Sequence, residues 1–182
     1  MKYFGRAIEN HFRKADSGAL QYTVPNAGSK LMSENTNSRP LDRTERREHF
    51  VHFLTIPTRW SDNDSYGHVN NARYLTFIEL VIMRYLEVDS QLDFAKHGVH
   101  CFSVENMCRY HTPVKFPDTL EAGLRVGKLG NSSVRYEVGL FVTDKEEVSA
   151  TGYFTDVFVD AKTERPVSIP DPIRTVLSAL VL

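Results

Sequence analysis

Residues 59–79 of the chain read RWSDNDSYGHVNNARYLTFIE. The first half is a loop by composition: Asp, Asn, Ser and Gly supply turn conformations and side-chain oxygens rather than apolar surface. The second half changes character. From Tyr74 onward, Leu75, Phe77, Ile78, Val81, Ile82, Tyr85 and Leu86 recur at steps of three and four, the period of an α-helix. They cover more than half the circumference, so a helix over residues 71–88 is expected to be largely buried. Asn70 or Asn71 supplies its N-cap.

Outward from this helix the chain reads as strands. Residues 50–57 precede the loop over 58–70. After a link at 89–98, four strand signals follow, over 100–110, 120–129, 132–143 and 148–160. Val134, Tyr136, Val138, Leu140 and Val142 alternate with polar or small residues, and Leu120, Ala122, Leu124 and Val126 do the same. Leu129-Gly130-Asn131-Ser132 between those two runs is a hairpin signal. A short helix follows Pro170 and Pro172. One strand, a long buried helix and four strands make an α+β order, a single antiparallel sheet wrapped on one helix. Gly123, Gly127 and Gly130 fall on strands and a turn, so they form no phosphate cradle.

The chain has 182 residues, enough for one domain with a core that needs no disulfides, plus an extension. Lys and Arg number 22 against 23 Asp and Glu, for a net charge of −1; a nucleic-acid partner would call for a basic stripe that is missing. Cys101 and Cys108 stand at an odd offset, which in a strand places them on opposite faces, poorly placed to pair with each other. A reducing compartment follows. Residues 1–48 are polar and mixed, too poor in apolar groups to offset their own ordering, and read as a loosely held extension ahead of a domain over 49–182. The first fourteen residues read either as an arm or as a basic amphipathic targeting helix, and Met32 is a possible internal start. The location is therefore cytoplasmic or mitochondrial. No stretch approaches the ~18–20 apolar residues of a membrane span, and residues 1–20 lack the continuous apolar core of a signal peptide.

The loop before the helix carries the chemistry. Asp62, Asp64 and His68 crowd it, Gly67 permits a tight turn, and it runs into a helix N-terminus where free N–H groups favour negative charge. A carboxylate there can attack an acyl group or activate water while backbone donors hold the oxyanion. The same residue types also serve as caps and turn formers. A serine-hydrolase elbow of the Gly-x-Ser-x-Gly kind is absent. His68 has no partner at metal-ligand spacing, and Asp62, Asp64 and Gly67 open like a calcium loop whose closing acid is missing.

The pattern Asp-x-Asp-x-x-Gly-His-Val-Asn-Asn-x-x-Tyr-Leu-x-x-x-Glu over Asp62–Glu79 resembles the signature of the 4-hydroxybenzoyl-CoA thioesterase family of hotdog proteins. It is also similar to plant acyl-ACP thioesterases. The likeness runs from about residue 50 to the C-terminus and includes the late run from Val157 through Asp160, Thr163 and Arg165-Pro166 to Ile169-Pro170. The resemblance implies a hotdog fold and an acyl-CoA thioesterase that releases a free acid and coenzyme A, with no metal or redox cofactor. It implies that Asp64 is the catalytic carboxylate, as nucleophile or as general base for water. The polarising backbone N–H falls near Asn71, and His68 matches a histidine that assists catalysis in some relatives. Gly67, Asn70, Tyr74 and Glu79 complete the expected substrate site, with Asn70 also read as a cap, Tyr74 also as core, and Glu79 either as a buried acid near the site, which would need a partner, or as a partner for Arg59 or Arg73. For coenzyme A the similarity points to Ser132, Ser133, Arg135 and Arg165. It also implies a homodimer or homotetramer with sites at the subunit interface. The alternative is a non-catalytic hotdog protein that binds acyl-CoA or acts as an interaction subunit. The hydratase branch of the fold fits less well, because its Asp/His arrangement differs.

Overall fold

The computed structural model describes residues 41–182 and, before them, the backbone of two short strands, β1 (Phe12–Lys14) and β2 (Leu20–Tyr22). These two pair antiparallel with Phe12 opposite Tyr22, so the end of the stretch read as a possible targeting helix is strand. The remainder of that stretch and Met32 lie outside the described residues.

The main unit is built from β3 (His52–Pro57), α1 (Asn71–Met83), β4 (Val99–Tyr110), β5 (Thr119–Leu129), β6 (Ser133–Val142), β7 (Val148–Asp160) and α2 (Asp171–Ser178). Its five strands form one sheet in the order β3-β5-β6-β7-β4, with every neighbouring pair antiparallel. The strand alternation expected from sequence is present: Leu120, Ala122 and Leu124, then Tyr136, Val138 and Leu140, then Ala150 and Phe158 all line the face turned toward α1 and are fully buried. Helix α1 answers with Tyr74, Phe77, Ile78, Val81 and Ile82. Each large side chain so buried contributes about 1.5–3 kcal/mol of transfer free energy. The helix does not run unbroken to residue 88, because its hydrogen bonding changes at Arg84 into a π-helical turn over Arg84–Asp89 that still buries Leu86.

The other face of the sheet is covered by residues 41–50, a stretch that composition assigns mostly to the extension. Leu41 and Phe50 are buried, and Glu45 is fully enclosed. Arg125 reaches both Glu45 (Nη2–Oε1, 2.8 Å) and Glu137 (Nη2–Oε2, 2.7 Å). Phe50 lies over the paired Gly123 and Gly139, where a Cβ would come within 2.8 Å and 2.6 Å of its ring. Few apolar residues mark this segment, since a buried ion cluster anchors it.

The cysteines depart from expectation. A β-bulge in β4 between Ser103 and Glu105 shifts the register, so that Cys101 stands opposite Phe158 and Cys108 opposite Gly152. Both pack against the core, and both are free thiols. The extra residue reverses the odd offset and brings the two onto one face. Burial pushes the Cys108 thiol up to about 11. No helix among the described residues is long and apolar enough to cross a membrane.

Candidate active site

Asp64 sits in a loop held rigid by its own backbone. A 3-10 turn over Trp60–Asp62 opens it, and the buried Asp62 accepts the Arg59 N–H at 2.7 Å. Asn63 then pairs with Val69 as an antiparallel bridge, closed further by Asp64 N–H to the His68 carbonyl at 2.8 Å and Gly67 N–H to the Asp64 carbonyl at 3.1 Å. Gly67 takes a φ of +78°, in the left-handed region that suits glycine. Asn63 fixes the loop to a neighbour by accepting the Phe116 N–H at 3.1 Å, and Val69 N–H donates to the Val114 carbonyl at 2.8 Å.

Within this frame the Asp64 carboxylate is half engaged. Oδ1 accepts the Tyr66 N–H at 2.8 Å, and among the described residues Oδ2 accepts nothing. The adjacent helix start offers a donor: Asn70 caps α1 by accepting the Ala72 N–H at 3.0 Å, while the Asn71 N–H has no hydrogen-bond partner in the described structure. A cleft of about 390 Å³ joins these groups, lined by Asp64, Tyr66, His68, Asn71 and Tyr74 on one side and by residues 110–113 on the other. An acyl carbon placed there would meet an unengaged carboxylate oxygen and an unpaired backbone donor, the minimal set for acyl transfer.

The sequence-predicted residues divide into three groups. Asp64, Gly67, His68, Asn70, Asn71 and Tyr74 come together at the loop and helix start. His68 is exposed and its ring makes no hydrogen bond in the described structure; its carbonyl, not its imidazole, organises the loop. Tyr74 is buried, meets Tyr110 edge to face at 5.0 Å, and burial pushes its hydroxyl pKa up. Ser132 and Ser133 lie elsewhere, at the β5–β6 hairpin end, and Arg165 lies in the segment after β7. Phe158 N–H donates to the Ser132 carbonyl and Asp160 N–H to that of Arg165, and none of the three lines the cleft. Arg135 stacks 3.8 Å over the Tyr153 ring. Glu79 is a correction: it is exposed on α1, so the buried partner expected for it is not required. No ion pair joins it to Arg59 or Arg73. Arg73 instead faces Asp62 at 3.6 Å.

Sequence reasoning missed the far wall of the cleft. Tyr110 hydroxyl donates to the Asn71 carbonyl at 3.2 Å, bracing the helix start. His111 lies within 2.9 Å of the Thr151 hydroxyl, and burial, aided by the Arg43 charge, holds its pKa below the ordinary histidine value. The proline that ends this stretch, just after a strand, was the available signal. Among the described residues, no cluster of three or more His, Cys, Asp or Glu side chains is arranged to hold a metal.

One antiparallel sheet wrapped on a single helix, with an aspartate-bearing loop feeding the helix N-terminus, is the hotdog architecture of thioesterases. The chain belongs to the Thioesterase-like superfamily, whose family model matches residues 58–177. It is similar to the crystal structure of the PA5185 protein of Pseudomonas aeruginosa, at 46% identity and a TM-score of 0.70 over 75% of this chain and 95% of that one. A thioesterase of Thermus thermophilus, solved with coenzyme A and Zn, shares 31% identity and a TM-score of 0.63 over 73% of this chain and 96% of that one. The long-chain acyl-CoA thioesterase FadM of Escherichia coli is 29% identical over 127 residues, which cover 69% of this chain and 96% of that protein.

Proposed function

We propose that this protein is an acyl-CoA thioesterase that hydrolyses an acyl-CoA to the free acid and coenzyme A, with Asp64 as the catalytic carboxylate. The observation that carries this reading is that an Asp64 oxygen without a hydrogen bond and an Asn71 N–H without a partner line the same cleft. Two routes use the same atoms. In one, Asp64 Oδ2 attacks the thioester carbonyl, the coenzyme A thiolate leaves, and water then hydrolyses the mixed anhydride. In the other, Oδ2 takes a proton from a water that attacks the carbonyl directly. In both, the Asn71 N–H and the positive end of α1 stabilise the oxyanion. Neither route calls on a redox group.

The substrate's chain is proposed to be long, in line with the FadM relative. The unit is proposed to work as a dimer or tetramer. β4 is an open edge of the sheet, and it exposes Phe102 and Val104, surface of the kind that pairing with a second copy would cover.

The test is thiol release from short-, medium- and long-chain acyl-CoA and from aromatic acyl-CoA, with wild type and Asp64→Asn side by side. Turnover that disappears in the variant supports the assignment. A folded wild type that turns over none of these substrates overturns it in favour of a non-catalytic acyl-CoA binder.

A further inference from the structure

A second concavity lies on the other flank of α1, along the open edge of β3. It encloses about 360 Å³, at the lower end of the ~300–1,000 Å³ range of small-molecule sites. It shares no lining residue with the Asp64 cleft. Its apolar wall is made by Leu54 and Ile56 from the strand and by Phe77 and Leu80 from the helix. Leu80 is 46% exposed, an unusual place for a leucine on a helix whose other large apolar residues are mostly enclosed.

Charge is distributed unevenly around this wall. Arg59, Arg73 and Arg84 all border the groove, against a single carboxylate, Asp62. That carboxylate is already occupied: its Oδ2 accepts the Arg59 backbone N–H at 2.7 Å, and its Oδ1 faces Arg73 Nε at 3.6 Å. Arg84 is held by Asp89 at 3.1 Å. The Arg59 guanidinium has no acidic partner among the described residues. A groove with an alkyl-sized apolar wall and an uncompensated arginine on its border is complementary to one kind of small molecule, an anion with a hydrocarbon tail. A neutral lipid would leave Arg59 unanswered, and a small inorganic anion would leave Leu80 and Phe77 wet.

We propose that this groove binds a free fatty acid as its carboxylate, the alkyl chain lying on Leu54, Ile56, Phe77 and Leu80 and the carboxylate at Arg59. The site does not depend on the thioesterase reading, because it is defined by binding and not by turnover. If the chain is a thioesterase, the ligand belongs to the same class as the released acid, and product can occupy a place outside the catalytic cleft.

Trp60, the single tryptophan of the chain, is 79% exposed and adjoins Arg59, so its emission reports on this border of the groove. Dodecanoate is titrated into the full chain below its micelle-forming concentration while Trp60 emission is followed, with calorimetry in parallel. A saturable response is expected in wild type and equally in Asp64→Asn. Binding weaker by about tenfold or more is expected for methyl dodecanoate, and for dodecanoate with Arg59→Glu or Leu80→Glu, as the loss of one charge-assisted contact or of the apolar wall implies. Arg59→Lys, which keeps the charge, should recover part of the affinity and guards against a mere folding defect. Several results would overturn the proposal: no binding by wild type, equal binding of the methyl ester, or wild-type affinity in both the Arg59→Glu and Leu80→Glu variants. Loss of the response in Asp64→Asn would place the acid in the catalytic cleft instead. Self-association that Leu80→Glu abolishes, with no dodecanoate binding, would make the groove a contact between copies.

Discussion

The Tyr66 N–H donates to Oδ1 of Asp64 at 2.8 Å, so one carboxylate oxygen is pinned while the other accepts nothing among the described residues. Replacing Asp64 by Asn keeps a carbonyl oxygen for that bond and removes the proposed nucleophile or base. Turnover of a long-chain acyl-CoA should fall by ~100-fold or more, with an unchanged thermal transition. His68→Ala should cost distinctly less, because the loop is closed by the His68 carbonyl, which alanine retains. Equal losses in the two variants would show that the imidazole takes part in the chemical step.

Gly67 adopts a positive φ, and a Cβ built there meets nothing within 4 Å. Gly67→Ala therefore incurs a purely conformational cost of about 1–2 kcal/mol, without a clash. Denaturant melts should record that loss. A clearly larger one, or none, would mean that the loop rearranges.

Arg125 sits between two buried carboxylates, Glu45 and Glu137. Arg125→Ala leaves both without their cation and should destabilise the protein by about 3–5 kcal/mol or more. The double variant Glu45→Gln with Glu137→Gln in the alanine background should recover part of this, because it neutralises the stranded charges. Equilibrium unfolding of the three proteins tests the argument; a neutral single substitution would refute it.

Asp156 points into the sheet-helix interface, with Oδ1 buried and without a hydrogen bond. Burial raises its pKa, against hydrogen bonds from Ser103 and Cys101 that lower it. For an acid whose folded pKa is raised, the favourable contribution is present below the ordinary carboxylate value of 3.8 and is lost as pH rises through the folded value. Asp156→Asn should therefore melt higher than wild type at neutral pH, and the difference should shrink as the pH falls toward 4. A constant difference across that span would show that the carboxyl does not titrate in the native state.

The strands and the helix were legible because they obey simple periods. β7 falls on the residues expected, 148–160, and the others within two residues of their expected bounds. What escaped were departures from period. The bulge in β4 is one added residue with no composition of its own, yet it moves Cys101 to the other face. Residues 41–48 looked like a tail because their anchor is an ion cluster formed with Arg125, 80 positions away from Glu45. The site was half readable for a similar reason. Asp64 through Tyr74 are contiguous, so the loop and helix start were visible, whereas Tyr110 and His111 join them only through the fold. Glu79 was misjudged because a helix periodicity that covers most of the circumference does not say which remaining stripe meets solvent.

The bulge has a further consequence for the open edge of the sheet. It divides β4 into two short runs, Val99–Ser103 and Glu105–Tyr110, whose N–H and C=O rows fall out of step with each other. A foreign strand laid along this edge finds no uninterrupted template. Promiscuous β-stacking into fibres is thus discouraged by a single additional residue, with the exposed Glu105 beside it.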